Sequence, residues 1–517
     1  MQTIDATTLR NWIGDGRELA LLDAREDGEF GAEHLFWAIP FGMARREARA
    51  DALLPRLDTR ICVTDDGRGV AQDLAAWLEG IGCTDVSILL GGTQAWAAAG
   101  FVVFSGMNVP SKAFGEWVEH HYGTESVDAP ELDAWIKSGK NMVVLDSRTE
   151  EEFNRMSIPT GVSVPGGELV FRIGDLAPDP ETLVVVNCAG RTRSIMGAES
   201  LRRAGIPNKV VALRNGTMGW DLAGLTCEHG KTDRFAAGTP KTADLALKRA
   251  SAFAAEVGVR TITPDQLTAF EADASRTLYV LDVRDPAEYR AGHRAGSVNA
   301  PGGQLVQATD TWVGVRNART VLLCDTGARS RMSAAWLRSM GHTDVFVADG
   351  ALQGGSVRPA APERAASVAS IDVAGLVAIL ADTTVIDLAR SVEFRDGHIQ
   401  GAVWGVRSRL KPLKAAKYVV IASPDGEAAT LAVAEVRAVT GREPRVLAGG
   451  TAAWKAAGQK LEKNRLIPAD DDCIDFYLRP YDRNSGVEDA MNAYLSWEID
   501  LVHEIERDGT VRFGAAH

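Results

Sequence analysis

Four times along the chain a short apolar run ends in an aspartate: LALLD, MVVLD, LYVLD and TVID, closing at Asp23, Asp146, Asp282 and Asp387. Runs this short, bounded by charged turns, predict strands. Each is followed by a charged helical turn and an aromatic residue. Farther on, a β-branched run enters a Gly-containing loop and then a helix, in ICVTDDGRGVAQDLAAWL, VVVNCAGRTRSIMGAESL, VLLCDTGARSRMSAAWL and VVIASPDGEAATLAVAEV. The spacing is 42 residues from Asp23 to Asp65, Asp146 to Cys188 and Asp282 to Cys324, and 36 from Asp387 to Ser423. A third element, GGTQAWAAAG, NGTMGWDLAG and GGTAAWKAAG, places Trp96, Trp220 and Trp454 at 31, 32 and 31 residues beyond the loop start. The third copy reads DGALQGG, with Gly355 in the Trp register. Leu74, Trp77, Leu78 and Ile81 mark one face of an amphipathic helix.

Three elements recurring in one order define an internal repeat, read here four times. Strands alternating with helices predict an α/β fold, each repeat a mostly parallel sheet flanked by helices. The repeats are expected at residues 1–104, 116–232, 258–358 and 366–462. Residues 233–257 read as a helical linker and VRPAAPERAAS (357–367) as a shorter, extended one. The C-terminal extension, 463–517, carries DFYLRPYDR and NAYLSWEIDLVHEI, aromatic-rich with an amphipathic helix. It is expected to brace two domains, in preference to covering an active site.

With 517 residues, the chain is too long for one core. Its 45% hydrophobic and 24% charged residues suit a soluble protein of several domains. A net charge of −13 argues against nucleic acid as a partner. No apolar run approaches a membrane span and MQTIDATTLRNWIGDGRE is no secretory signal, so neither a membrane nor export is expected, and the cytoplasm is. The six cysteines lack CxxC spacing, so no disulfide framework, metal or cofactor is expected. Adjacent His120 and His121 are not expected to be metal ligands, because neighbours in sequence rarely point at one metal.

A loop between strand end and helix start is where a parallel sheet places chemistry. Cys188 and Cys324 occupy that register. In CAGRTRS the loop N–H groups and a helix beginning near Ile195 can converge on the sulfur, with Arg191 and Arg193 adding positive charge. The Cys188 thiol is therefore expected to have a depressed pKa and to act as a nucleophile. In CDTGARS, Asp325 stands beside Cys324, which is expected to be the less reactive thiol. Cys62, Cys83, Cys227 and Cys473 lie outside this loop and read as structural.

The D-x-R strand ends and C-x(4)-R-S loops resemble the rhodanese family, over about 400 residues in four copies. The resemblance implies four tandem rhodanese-like domains and a sulfurtransferase, with Cys188 and Cys324 carrying sulfane sulfur as a persulfide. The donor would be thiosulfate, mercaptopyruvate or a persulfide, and the acceptor a thiol, cyanide or a protein. Arg193 and Arg329 would orient the loop or bind the donor's anionic group, with Arg191 and Arg172 as further substrate contacts. Gly190, Ser194, Gly327 and Ser330 would support the loops, and Asp146–Arg148 and Asp282–Arg284 would be ion pairs beside them. Gln304 and Gln307, after a Pro-Gly-Gly turn matching that before Arg172, could also reach the donor.

Repeats one and four depart from the pattern. Asp65 and Ser423 fill the Cys register and Ala389 replaces the Arg of D-x-R, so both repeats are expected to be inactive. The chain could instead be a non-catalytic sulfur-binding or interaction scaffold. A phosphatase is disfavoured, because C-x(4)-R is one residue shorter than the C-x(5)-R loop that wraps a phosphate.

Overall fold

The structure is a computed structural model describing residues 1–236, 238–356 and 368–514. The linker 357–367 lies outside the described residues. Four five-stranded sheets follow one another along the chain, all in one spatial order. In the second, Ser126–Val127 lies at one edge, followed by Val210–Leu213, Leu183–Asn187, Met142–Asp146 and Gly161–Ser163. Every ladder in these sheets is parallel. The central strands are buried on both faces, as helices on either side of a parallel sheet require. The Asp of each repeat closes its strand as expected, at Asp23, Asp146, Asp282 and Asp387. Ahead of that strand each repeat carries a short edge strand that the sequence pattern did not show, at Gln2–Ile4, Ser126–Val127, Arg260–Ile262 and Ser370–Ile371.

The Trp register closes the repeats. Trp96, Trp220 and Trp454 are buried, and each indole N–H donates to a carbonyl six residues on, at 2.9–3.1 Å. Among the described residues repeat three has no helix in this position. Arg294 fills the place, donating to the carbonyls of Ala351 and Gln353 while paired with Glu271. A guanidinium thus ties down the loop that an indole holds elsewhere.

Repeats two and three meet back to back through their Pro-Gly-Gly turns. A Cβ on Gly167 would lie 2.7 Å from the Gly303 nitrogen, and one on Gly303 2.6 Å from the Gly167 nitrogen. Only glycine permits that approach, so these turns build a domain interface. Repeats one and four are joined by Arg407–Glu47 at 2.9 Å and Arg46–Glu435 at 3.2 Å. Leu19 and Arg316 exchange main-chain hydrogen bonds between repeats one and three.

The C-terminal extension touches all four repeats. Its main chain accepts from Gly28 N at 2.8 Å, and Asp475 caps Ser391 N. Arg155 pairs with Asp482 at 2.9 Å. Helix Val487–Asp508 then lies along helix Val109–Tyr122, Asp508 pairs with Arg10 at 3.2 Å, and Gly514 N donates to Ser339 O. The extension is a strap across the whole chain, and it also lies on the Cys188 loop, where a covering role had been disfavoured.

Candidate active site

Strand Leu183–Asn187 delivers Cys188 to the start of its loop, and helix Thr192–Arg203 begins three residues earlier than the sequence suggested. Cys188 is 1% exposed. Its thiol donates to the Ser194 hydroxyl at 3.4 Å, which donates to the Arg191 carbonyl at 2.8 Å. Asn187, just before the cysteine, donates to Asp146 at 2.8 Å. Asp146 in turn holds Arg148 through two bonds of 2.9 and 2.7 Å, and Arg148 reaches the Met156 carbonyl. Asp23–Arg25 and Asp282–Arg284 repeat this pairing, each guanidinium also binding a carbonyl eight residues on. These pairs brace the loop from behind.

The arginines expected to meet a donor are committed elsewhere. Arg191 is bound by Glu116 through two bonds of 2.8 Å and by Glu119. Arg193 is bound by Glu152 at 2.7 and 2.8 Å. Arg172 is buried between the Phe171 and Phe235 rings, bound to Glu168 at 2.9 Å and to the Gly238 carbonyl. Arg329 meets Asp325 at 2.8 Å, Glu168 at 2.7 Å and Glu288. Gln304 and Gln307 are part of the repeat two–three interface region, where Gln307 lines a small cavity with Gly166, Gly167 and Gly302.

The thiol's environment also differs from expectation. Burial pushes the Cys188 thiol up, Arg193 and Ser194 pull it down, and Glu498 adds to the rise. Desolvation outweighs the pull of Arg193 and Ser194. Cys324, 2% exposed, donates its thiol proton to Asp325 Oδ1 at 3.2 Å. Gly327, at φ +77°, opens helix Ala328–Ser339, and the Ser330 hydroxyl donates to its carbonyl. Cys62 is a buried strand residue pushed by desolvation to about 12.

The substituted loops reveal what this register is built to hold. In repeat one the Asp65 carboxylate accepts from the N–H groups of Gly67 at 2.7 Å, Gly69 at 2.9 Å and Ala71 at 3.1 Å. In repeat four the Ser423 hydroxyl accepts from Gly426 and Ala429 at 3.0 and 3.3 Å. The loop is an anion cradle, and Asp65 fills its own. The Gly-Thr of the third sequence element locks it in place. A Cβ on Gly216, at φ +54°, would come within 2.4 Å of the Cys188 carbonyl, to which Thr217 N donates at 2.8 Å.

Residues far away in sequence complete the mouth. Glu498, on the strap helix and 1% exposed, accepts from the Thr192 hydroxyl at 3.1 Å and the Tyr494 hydroxyl at 3.0 Å through one oxygen. A Cβ on Gly190 would lie 3.2 Å from its other oxygen and 3.3 Å from the Tyr494 ring. Sequence reasoning missed Glu498, Glu116 and Glu152; the signal for Glu498 was a charged residue in an otherwise apolar helix stripe.

The Rhodanese-like domain family model matches residues 5–99, 128–223 and 263–356. The chain belongs to the rhodanese family. The fourth rhodanese-like repeat, outside those matches, is identified by its sheet, which has the strand order of the other three. A crystal structure of a thiosulfate sulfurtransferase from Pseudomonas aeruginosa is similar over 99% of both chains, at 44% identity and TM-score 0.92. A thiosulfate sulfurtransferase, GlpE, of Pseudomonas fluorescens (strain Pf0-1) is 34% identical over 97 residues, 18% of this chain and 82% of the relative. The uncharacterized protein YqhL of Bacillus subtilis (strain 168) is 30% identical over 103 residues, 19% of this chain and 76% of the relative. No helix among the described residues is long and apolar enough to cross a membrane.

Proposed function

We propose that this sulfurtransferase moves sulfane sulfur through a persulfide on Cys188, with Cys324 as a second carrier. The carrying observation is the cradle. In the register of Cys188, repeat one gathers three N–H groups around the Asp65 carboxylate, so the same loop with cysteine offers those donors to a thiolate or a persulfide anion. The thiolate attacks the outer sulfur of thiosulfate or of a low-molecular-weight persulfide, or the thiol sulfur of mercaptopyruvate. The donor's S–S or C–S bond breaks, its electron pair leaving with sulfite, a thiolate or the enolate of pyruvate, and the new S–S bond to Cys188 forms. A thiol, cyanide or a protein cysteine then removes that sulfur. Repeats one and four, without cysteine in the loop, serve as scaffold.

The test is mass spectrometry of the protein after exposure to each donor, followed by peptide mapping. A gain of one sulfur atom on the Cys188 peptide, lost on adding cyanide, is the expected result. No gain there with any donor, or full transfer activity in Cys188→Ser, overturns the reading.

A further inference from the structure

Helix Val487–Asp508 carries a carboxylate to the mouth of the Cys188 loop from outside the repeat. Glu498 is held firmly, its Oε1 accepting from Thr192 and Tyr494. Its Oε2 is buried and has no hydrogen-bond partner among the described residues. That oxygen lies against Gly190 of the Cys188 loop, 3.2 Å from where a Cβ there would stand. A buried carboxylate with one anchored and one free oxygen is costly to keep unless the free oxygen has a use.

The groups around Glu498 leave it the available base. On its own helix, the Tyr494 hydroxyl is spent on Oε1, and burial raises it well above its usual range. From helix Val109–Tyr122, Lys112 lies over the Tyr494 and Trp497 rings and burial lowers it to about 8. Glu116 on the same helix is raised by burial to about 7 while bound to Arg191. Arg191 and Arg193 of the loop are paired with carboxylates, and Tyr477, ahead of the strap helix, is raised by burial. Cys188 is the group that reacts.

We propose that Glu498 Oε2 accepts the proton of a thiol acceptor as that thiol takes sulfur from the Cys188 persulfide, an assignment that rests on the persulfide reading above. A thiol is mostly protonated at neutral pH and attacks as thiolate. The acceptor S–H proton passes to Glu498, and the acceptor sulfur bonds to the outer sulfur of Cys188–S–SH. The Cys188 S–S bond breaks, and the departing Cys188 thiolate regains a proton from Glu498. The products are R–S–SH and Cys188–SH. One sulfur atom has moved and no external oxidant or reductant is needed.

The experiment uses the full chain carrying Cys324→Ser, so that Cys188 alone reports. The protein is loaded with glutathione persulfide, and unloading is timed with 2-mercaptoethanol and with sulfite, which attacks without a proton to lose. In Glu498→Gln the ratio of thiol to sulfite rates is expected to fall about 100-fold at about pH 7, the scale of general-base catalysis with an ordinary thiol. The ratio should recover as rising pH ionises the acceptor, and Glu498→Asp should restore part of it. An unchanged ratio, an equal loss with both acceptors, or no recovery at high pH overturns the proposal. Normal loading of Glu498→Gln with an unchanged ratio sinks this assignment alone. Failure of the Cys324→Ser chain to load Cys188 sinks the persulfide reading and this assignment with it.

Discussion

The N–H of Gly69 donates to the Asp65 carboxylate at 2.9 Å, in the register where Cys188 stands in repeat two. With Gly67 and Ala71 also donating, Asp65 is the centre of its loop rather than a bystander. Asp65→Ala should strand these donors and cost about 3 kcal/mol, at the upper end for a buried polar group losing its partner. Asp65→Asn keeps one acceptor oxygen and should lose less. Thermal unfolding of the full chain followed by calorimetry checks both. Asp65→Cys should give far less sulfur transfer than the Cys188 site, because Val70 and Ala71 stand where repeat two has Arg193 and Ser194.

Repeat four holds a buried aspartate without its arginine. In the other repeats the strand-ending Asp is bound by Arg25, Arg148 or Arg284, whereas Ala389 leaves Asp387 Oδ2 with no partner among the described residues. Desolvation raises Asp387 to about 6 from the ordinary 3.8, only partly offset by the Ala389 N–H. A raised carboxylate binds its proton more tightly folded than unfolded. Its ionisation therefore penalises the fold, increasingly as pH rises from about 4 through about 6. Asp387→Asn should stabilise the chain at about pH 8, by up to about 3 kcal/mol, the cost of ionising a carboxyl held at about 6 in place of 3.8. Denaturant unfolding across that range should show the advantage shrinking to nothing near pH 4.

The repeats were legible in the sequence because their signals are local. An apolar run closing in Asp, a Gly-rich loop 42 residues later and a Trp in fixed register each arise within one strand, loop or helix. The edge strands were not legible, since two or three residues are too few to show a period. The charge state of the site was misread for a different reason. Arg193 and Arg191 look free along the chain, but their carboxylates sit 41 and 75 residues away, and the Glu498 bound by Thr192 lies 306 away. Sequence shows the loop's cations, and only the folded chain shows that they are neutralised. The same blindness made Arg172 look like a donor contact, when Glu168 holds it within repeat two and Glu288 of repeat three stands 3.9 Å away.

Cys324 has a carboxylate neighbour that Cys188 lacks, and that neighbour can be tested. Asp325 Oδ1 accepts the Cys324 thiol proton at 3.2 Å and also meets Arg329 and the Thr326 N–H. Repeat two has Ala189 at this position. A thiolate on Cys324 would face a carboxylate at contact distance, with Arg329, which also pairs with Glu168 and Glu288, as the opposing positive charge. Asp325→Ala removes one negative charge and frees one face of Arg329. In a chain with Cys188→Ser, it should speed alkylation of Cys324 by iodoacetamide about ten-fold at neutral pH, as an unscreened charge at this range is worth 1 kcal/mol or more. Asp325→Asn should fall between, since the amide removes the charge but keeps an acceptor. Loading with glutathione persulfide should follow the same order as alkylation. A rate unmoved by either change would mean that access through the buried loop, rather than the carboxylate, limits Cys324.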